Sequence, residues 1–169
     1  MICVEDEFMQ KAKFLKVSQQ QYENARNTNN CIDEYNQITL PVRATVCSAG
    51  YDFFAPFDIV LESGQTLTVP TGIRCLMPDS WVLLIFPRSG LGFKYRLRLD
   101  NTVGVIDADY SNSDNEGHIF IRITNEGKKS MCVEKGKAFA QGVFVTYGTT
   151  EDDNVTQTRQ GGLGSTDKK

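Results

Sequence analysis

From Ile38 onward, short runs of β-branched and aromatic residues are separated by glycine, proline, asparagine and aspartate at intervals of roughly ten residues. No 3.6-residue hydrophobic period continues through this part of the chain, which disfavours helices packed on a parallel sheet. The spacing predicts antiparallel sheets in an all-β sandwich, barrel or jelly roll. The candidate strands are 57–61, 66–70, 81–86, 97–100, 117–125 and 137–147.

Residues 1–36 follow a different pattern and are interpreted as an extension to a β domain of residues 37–148. A short strand is predicted over 13–17. Ser18 then has the position of a helix cap, with Gln21 three residues later, as in a capping box. A polar stretch ends this helix after about two turns.

Residues 149–169 are interpreted as a flexible C-terminal arm. The segment 149–158 contains one apolar residue, Val155, and a glycine-rich tip follows. Simple disorder is the alternative interpretation of the same composition.

Composition excludes several classes of protein. The chain has 169 residues, which predicts one domain, and its formal charge of −3 argues against nucleic acid or an anionic membrane as a partner. The longest apolar run, 81–86, is far shorter than the ~20 residues that cross a bilayer. Five cysteines without a CxxC pair, and a start without signal-peptide features, predict reduced thiols and a cytoplasmic protein. The single histidine, His118, is interpreted as a turn residue.

Two glycine-containing loops have the composition of phosphate sites, because glycine lets backbone N–H groups approach an anion. In the first loop, Arg88 can bind phosphate oxygens while Ser89 and Gly90 donate hydrogen bonds. The second is the tip of the arm, with Arg159 before it. Neither loop is a Walker P-loop, since no Gly-Lys-Ser/Thr follows, and an ordinary turn with a solvated arginine remains an alternative for the first.

A third candidate segment, 101–110, has the alternation of a β-hairpin that would hold Asn101 near Tyr110. The amide of Asn101 offers the donor and the acceptor that a base edge requires. Asp107, beside apolar neighbours, could deprotonate a water molecule, or it could be a simple acceptor for backbone N–H groups.

Five segments of the chain share features of known motifs. They are Ala49–Asp52, Pro87–Gly92, Gly104–Tyr110, Lys135–Gly136 with Ala140–Gln141, and Arg159 with Gly161–Thr166. Taken in this order, they resemble the motifs of the trimeric dUTP diphosphatases (dUTPases), over about residues 40–166. The resemblance implies a distorted jelly roll that assembles as a homotrimer with shared active sites, closed by the arm. It also implies hydrolysis of dUTP to dUMP and pyrophosphate with Mg²⁺ carried in by the triphosphate and no direct protein ligand.

The resemblance assigns a role to each matching residue. Asp107 would activate the attacking water, and Gln141 would position the α-phosphate and that water. Asp52 would support the site. The groups expected to contact substrate are Arg88, Ser89 and Gly90 on the phosphates, Asn101, Val105 and Ile106 on uracil, Tyr110 on deoxyribose, and Arg159, Leu163, Gly164, Ser165 and Thr166 in the closing arm.

Three features depart from the family pattern. Leu163 stands where the family usually has phenylalanine, residues 111–115 are inserted after Tyr110, and Asp167 replaces a glycine. Two other functions remain open: a dCTP deaminase of the same fold, and a nucleotide-gated protein with a regulatory partner. Residues 1–36 lie outside the resemblance, so their deletion is expected to leave turnover intact.

Overall fold

A computed structural model describes residues 11–28, 31–157, 159 and 161. These residues form mostly strands, with three helices and a 3₁₀ turn at Ala108–Asn112. The helices are α1 (Gln19–Arg26), α2 (Ile32–Asn36) and α3 (Ser89–Tyr95). The strands are β1 (Lys13–Lys16), β2 (Val42–Arg43), β3 (Tyr51–Phe54), β4 (Ile59–Leu61), β5 (Thr66–Pro70), β6 (Ile73–Leu76), β7 (Trp81–Pro87), β8 (Leu97–Leu99), β9 (Gly104–Asp107), β10 (Phe120–Asn125), β11 (Met131–Val133) and β12 (Ala138–Thr146).

The strands form a distorted jelly roll, which confirms the predicted fold class. The largest sheet has the order β2-β3-β12-β7-β9, and a second has the order β5-β10-β8. The smaller pairs are β4 with β11 and β1 with β6. Every strand pair in these sheets is antiparallel, as the short apolar runs and frequent turns predict.

The core follows from the two-residue period of the strands. On β7, Leu83 and Ile85 are buried, whereas Val82, Leu84 and Phe86 lie on the opposite, partly exposed face. Each large aliphatic side chain that is fully buried in this way contributes about 1.5–3 kcal/mol. The period therefore decides which face of the largest sheet packs inward and which face remains available.

The N-terminal extension packs into this core. Strand β1 pairs with β6, and Val17 and Tyr22 are completely buried. The predicted cap is confirmed, since the backbone N–H of Gln21 donates to Ser18 Oγ at 3.1 Å. At Gly72 (φ +72°), an added Cβ would lie 2.4 Å from Ile38 Cδ1 and 3.2 Å from the Tyr22 ring. The extension thus completes the interior, and its expected dispensability does not fit this packing.

Two local predictions were wrong. Residues 101–110 do not form a hairpin, because β9 pairs with β7 while β8 pairs with β10 in another sheet. The segment that begins at Arg88 is not an open loop, because Ser89–Tyr95 is helix α3. Leu91 and Tyr95 pack against the core, and this tertiary contact offsets the low helix propensity of the two glycines.

The described helices include none that is long and apolar enough to cross a membrane.

Candidate active site

One group of predicted site residues lies where β3, β12 and the start of α3 meet. Asp52 on β3 is directly opposite Gln141 on β12. The Asp52 carboxylate is 3.3 Å from Nε of Arg88, the residue that precedes α3. Asp52 thereby orients the guanidinium group, which leaves its remaining N–H groups for an anion. We call Asp52, Arg88 and Gln141 the phosphate half-site.

Gln141 in the phosphate half-site is held by backbone contacts. Its Nε2 donates to the carbonyl of Pro87 at 3.3 Å. A Cβ on Gly50 would lie 2.7 Å from Oε1 of Gln141, so a larger residue there would displace the amide. Sequence reasoning placed Gly50 in the first motif but did not assign it this packing role.

A second group lies at the end of β9 and in the following 3₁₀ turn. Arg159 of the arm forms an ion pair with Asp107 through Nη2, and its Nε donates to Asp109 Oδ1 at 3.0 Å. The guanidinium carbon also lies 5.7 Å from the centre of the Tyr110 ring. We call Asp107, Asp109, Tyr110 and Arg159 the carboxylate half-site. Asp109 was not among the predicted contact residues, although it lies within the third motif.

Tyr110 is fixed by hydrogen bonds at its hydroxyl group. The hydroxyl donates to the carbonyl of His118 at 2.8 Å and accepts from Asn115 Nδ2 at 2.9 Å. Burial raises the pKa of Tyr110, so the phenol remains neutral and can keep both bonds. His118 closes the turn that precedes it, since its N–H donates to the Asn115 carbonyl at 3.0 Å, and its side chain is completely buried.

The residues expected to recognise uracil lie along β9. Within the described residues this strand pairs only with β7, so backbone groups on its other side are available. Gly104 packs closely against β7, since an added Cβ would be 3.0 Å from Ile85 Cβ and 3.9 Å from Asn101 Nδ2. Val105 is exposed and Ile106 is partly buried, and the Asn101 amide lies beside the start of this edge.

The two half-sites are separate within one chain. Asp107 is opposite Val82, whereas Gln141 is opposite Phe86, four residues further along β7. This offset corresponds to ~13 Å along the strand, and β9 and β12 lie on opposite sides of β7, two strand spacings of ~4.8 Å apart. The side chains of Asp107 and Gln141 lie on the same face of the sheet, because their partners on β7, Val82 and Phe86, are an even number of residues apart.

The remaining predicted contact residues lie in α3 or in the arm. Ser89 and Gly90 form the first turn of α3, where backbone N–H groups lack helical acceptors. The remaining arm residues, Leu163, Gly164, Ser165 and Thr166, together with Asp167, lie outside the described residues.

Comparisons with known proteins identify the family of the chain. The family model dUTPase matches residues 36–167. The deoxyuridine 5'-triphosphate nucleotidohydrolase of Lactococcus lactis is 39% identical over 132 residues, covering 76% of this chain and 88% of the relative.

Two solved structures are also similar. The dUTPase of Streptococcus mutans has a TM-score of 0.64 and 34% identity, covering 82% of this chain and 98% of its own. A mutant dUTPase from phage phi11 of Staphylococcus aureus, described with a structural Mg(II) ion, has a TM-score of 0.63 and 22% identity, covering 89% of this chain and 99% of its own. The family match covers both half-sites and most of the chain, and the chain therefore belongs to the dUTPase family.

Proposed function

We propose that this protein hydrolyses dUTP to dUMP and pyrophosphate. The observation that carries the proposal is the carboxylate half-site, in which a half-exposed Asp107 at the end of an edge strand lies beside Tyr110 and is paired with Arg159. In a cell this reaction limits uracil incorporation into DNA and supplies dUMP for thymidylate synthesis. Free nucleotides are cytoplasmic, so we propose that compartment for the reaction.

In the proposed mechanism, Asp107 takes a proton from water as the water oxygen attacks the α-phosphorus. The bond from that phosphorus to the bridging oxygen breaks, and pyrophosphate leaves with the oxygen. Gln141 positions the α-phosphate and the water, while Arg88 and the amides of Ser89 and Gly90 hold the phosphate chain.

The ion pair between Asp107 and Arg159 has to open before Asp107 can act as a base. The outer phosphates provide the competing anion, since guanidinium binds phosphate as well as carboxylate. Arg159 would thus move from the two carboxylates to the substrate. Leu163, Gly164, Ser165 and Thr166 would follow it and close over the nucleotide.

Substrate selection is proposed to occur along β9 and the turn after it. Asn101 and the free backbone edge at Val105 and Ile106 would hydrogen-bond the uracil edge. The ring of Tyr110 would lie against deoxyribose, where a 2′-hydroxyl would collide with it.

A homotrimer with shared active sites accounts for the separation of the half-sites. The sheet face between them is apolar and only partly buried; it carries Val82, Leu84, Phe86, Val143 and Val105. A face of this kind favours contact with another subunit. A neighbouring copy could then place its phosphate half-site against the carboxylate half-site of this chain.

Mg²⁺ is proposed to bind through the triphosphate, where it would neutralise phosphate charge. This ion prefers phosphate and water oxygens with few protein ligands. Among the described residues no group of three or more histidine, cysteine, aspartate or glutamate side chains is placed to hold a metal. The carboxylates of Asp107 and Asp109 are instead paired with Arg159.

The test is pyrophosphate release with Mg²⁺ from dUTP, UTP, dTTP and dCTP, with ammonia followed in the dCTP sample. We expect release from dUTP alone. Asp107→Asn should lower turnover by about 10²- to 10⁴-fold and keep affinity for an uncleavable dUTP analogue, as expected for loss of a general base.

Other outcomes would contradict the proposal in different ways. Ammonia from dCTP would identify a deaminase. No reaction with any of the four nucleotides would favour a regulatory protein that only binds them, and unchanged turnover of Asp107→Asn would remove Asp107 from the mechanism.

A further inference from the structure

Residues 111–117, which consist of the inserted segment 111–115 and the two residues after it, fold back around Tyr110. Ser113 N–H donates to the Tyr110 carbonyl at 3.1 Å, and Asn115 donates to the Tyr110 hydroxyl. The chain crosses itself at Gly117, where an added Cβ would lie 2.6 Å from Ser111 Cα and 2.9 Å from the Tyr110 carbonyl oxygen. The position of the Tyr110 ring therefore depends on the shape of this segment, which we call the Tyr110 loop.

The Tyr110 loop contains an unfavourable backbone conformation at Glu116. Its φ is +60°, and the next residue, Gly117, has φ +71°. Glycine adopts such angles freely, whereas a glutamate does so at a cost and needs support from its surroundings. One support is local, since Glu116 N–H donates to the Ser113 carbonyl at 2.8 Å.

The second support of Glu116 comes from the N-terminal extension. Ser18 donates its backbone N–H to Oε2 at 2.7 Å and its hydroxyl to Oε1 at 2.6 Å. These bonds lower the pKa of Glu116, so its carboxylate is charged at neutral pH. Because Ser18 also caps α1, the carboxylate lies at the N-terminus of that helix. Helix α1 is in turn fixed by the buried ring of Tyr22.

The opposite side of the Tyr110 loop is bonded to Arg74 on β6. Arg74 Nη2 donates to the Ser111 carbonyl at 2.7 Å. Within the described residues, the buried side-chain atoms without a partner are Arg74 Nε, Ser113 Oγ and His118 Nδ1, all in this loop or beside it.

We propose that Glu116 is a positioning residue for sugar selection. It ties the Tyr110 loop to the cap of α1 and so holds the Tyr110 ring where it discriminates deoxyribose from ribose. The proposal rests on the proposed function, in which Tyr110 contacts the sugar. It makes the N-terminal extension part of substrate selection rather than an appendage.

Glu116→Gly in the full-length protein distinguishes the effect of the hydrogen bonds to Ser18 from the effect of the backbone turn. Glycine relieves the strain at φ +60° but removes the carboxylate. We expect KM for dUTP to rise by about 5- to 20-fold, the dUTP:UTP ratio of kcat/KM to fall by about tenfold, and kcat to change by less than about threefold. Ser18→Ala loses one of the two hydrogen bonds to the Glu116 carboxylate. It should raise KM for dUTP and lower the dUTP:UTP ratio of kcat/KM, in each case by less than Glu116→Gly does.

Two further variants serve as controls. Glu116→Gln can still accept from the Ser18 N–H and donate to its hydroxyl, so it should restore most of the selectivity. Glu126→Ala removes a carboxylate that pairs with Arg98 outside the loop, 2.9 Å from its Nε, and should match the wild type.

The outcomes distinguish this proposal from the one on which it rests. A wild type that does not cleave dUTP would overturn both. An active wild type whose selectivity is unchanged in both Glu116→Gly and Ser18→Ala would overturn the positioning role alone. Should Glu116→Gly fail to fold, Glu116→Asn decides the question, because asparagine tolerates φ +60° and its side chain is one carbon too short to keep both bonds to Ser18.

Discussion

At the scale of single residues, two polar side chains have tasks that depend on burial. His118 Nε2 accepts a hydrogen bond from the Gly72 N–H at 2.8 Å, which requires this nitrogen to be unprotonated. Burial lowers the pKa of His118 from 6.5 to about 4. Asp52, also largely shielded from solvent, lies 3.3 Å from Arg88 Nε and orients that guanidinium group.

The pKa of His118 predicts a loss of stability in mild acid. The unfolded chain takes up a proton near pH 6.5 and the folded chain only near pH 4, so stability is complete above 6.5 and declines as the pH falls between these values. From pH 7 to pH 5 this residue should cost about 2 kcal/mol of the free energy of unfolding.

Urea unfolding at the two pH values measures this loss. His118→Gln keeps an acceptor for Gly72 but does not titrate, so its stability should vary less with pH. An equal pH dependence in the two proteins would assign the effect to other groups.

Asp52→Asn should weaken phosphate binding. The variant loses the charge that orients Arg88, and because Arg88 is partly exposed the pair is worth at most about 1 kcal/mol. We expect kcat/KM for dUTP to fall by about fivefold, mainly through KM. A larger fall in kcat would indicate that Asp52 contributes to the chemical step.

At the scale of elements, the two ends of the chain differ in their relation to the core. The N-terminal β1 and α1 bury Val17 and Tyr22 and supply Ser18 to the Tyr110 loop. The described residues at 148–157, by contrast, are all exposed. Removal of the first end should therefore affect folding, and removal of the second should affect catalysis.

Deletion of residues 1–36 should lower the melting temperature by more than 10 °C or yield aggregated protein, because it exposes the core beside Gly72. The single variant Tyr22→Ala should cost about 3–5 kcal/mol. Gln20→Ala on the exposed face of the same helix should stay within ~0.5 kcal/mol of the wild type. A stable, fully active deletion would show that the extension is dispensable.

Deletion of residues 159–169 should lower turnover and leave stability nearly unchanged. It removes Arg159 and the proposed closing segment but no buried core residue among those described. We expect turnover to fall by roughly 10²-fold, with a melting temperature within about 2 °C of the wild type. Calorimetry and the pyrophosphate assay on one preparation compare the two effects directly, and a large loss of stability would place the arm in the core.

At the scale of the whole molecule, one sheet carries both half-sites but separates them. Strand β7 lies between the strands of Gln141 and Asp107, and their register sets the distance. The apolar surface between the half-sites is the part of this face that a second subunit would cover. In the proposed homotrimer, a shared active site would follow from this register.

Mixed trimers test this arrangement. Arg88→Ala and Asp107→Asn, each inactive alone, should be co-expressed with different tags and purified through both. In a cyclic trimer of mixed composition one site in three combines two intact half-sites, so about one third of wild-type turnover should return. The matched control is the co-expression of an Asp107→Asn chain with a Tyr110→Ala chain. Both changes affect the carboxylate half-site, so no activity should return in these mixed trimers. Absence of activity in both mixtures would place the complete site within one chain.

Most of the local structure and the family could be predicted from the order of the residues alone. The two-residue period identified most long strands, Ser18 marked the start of a helix, and the order of the motifs named the family. These features depend on neighbouring residues, on backbone preferences and on side-chain type. Arg88 and Asp107 were predicted from their local sequence, and Gln141 was predicted only from its place in the fourth motif of the resemblance.

The contacts between distant segments, by contrast, depend on the folded core and could not be predicted from local patterns. Strand β9 pairs with β7 rather than within 101–110, helix α3 forms where an open loop was predicted, and Glu116 meets Ser18 from 98 residues away. Such contacts are selected by the packing of the whole core, because several partners satisfy the same local pattern equally well. The separation of the half-sites and the hydrogen bonds between Glu116 and Ser18 are both results of such long-range packing.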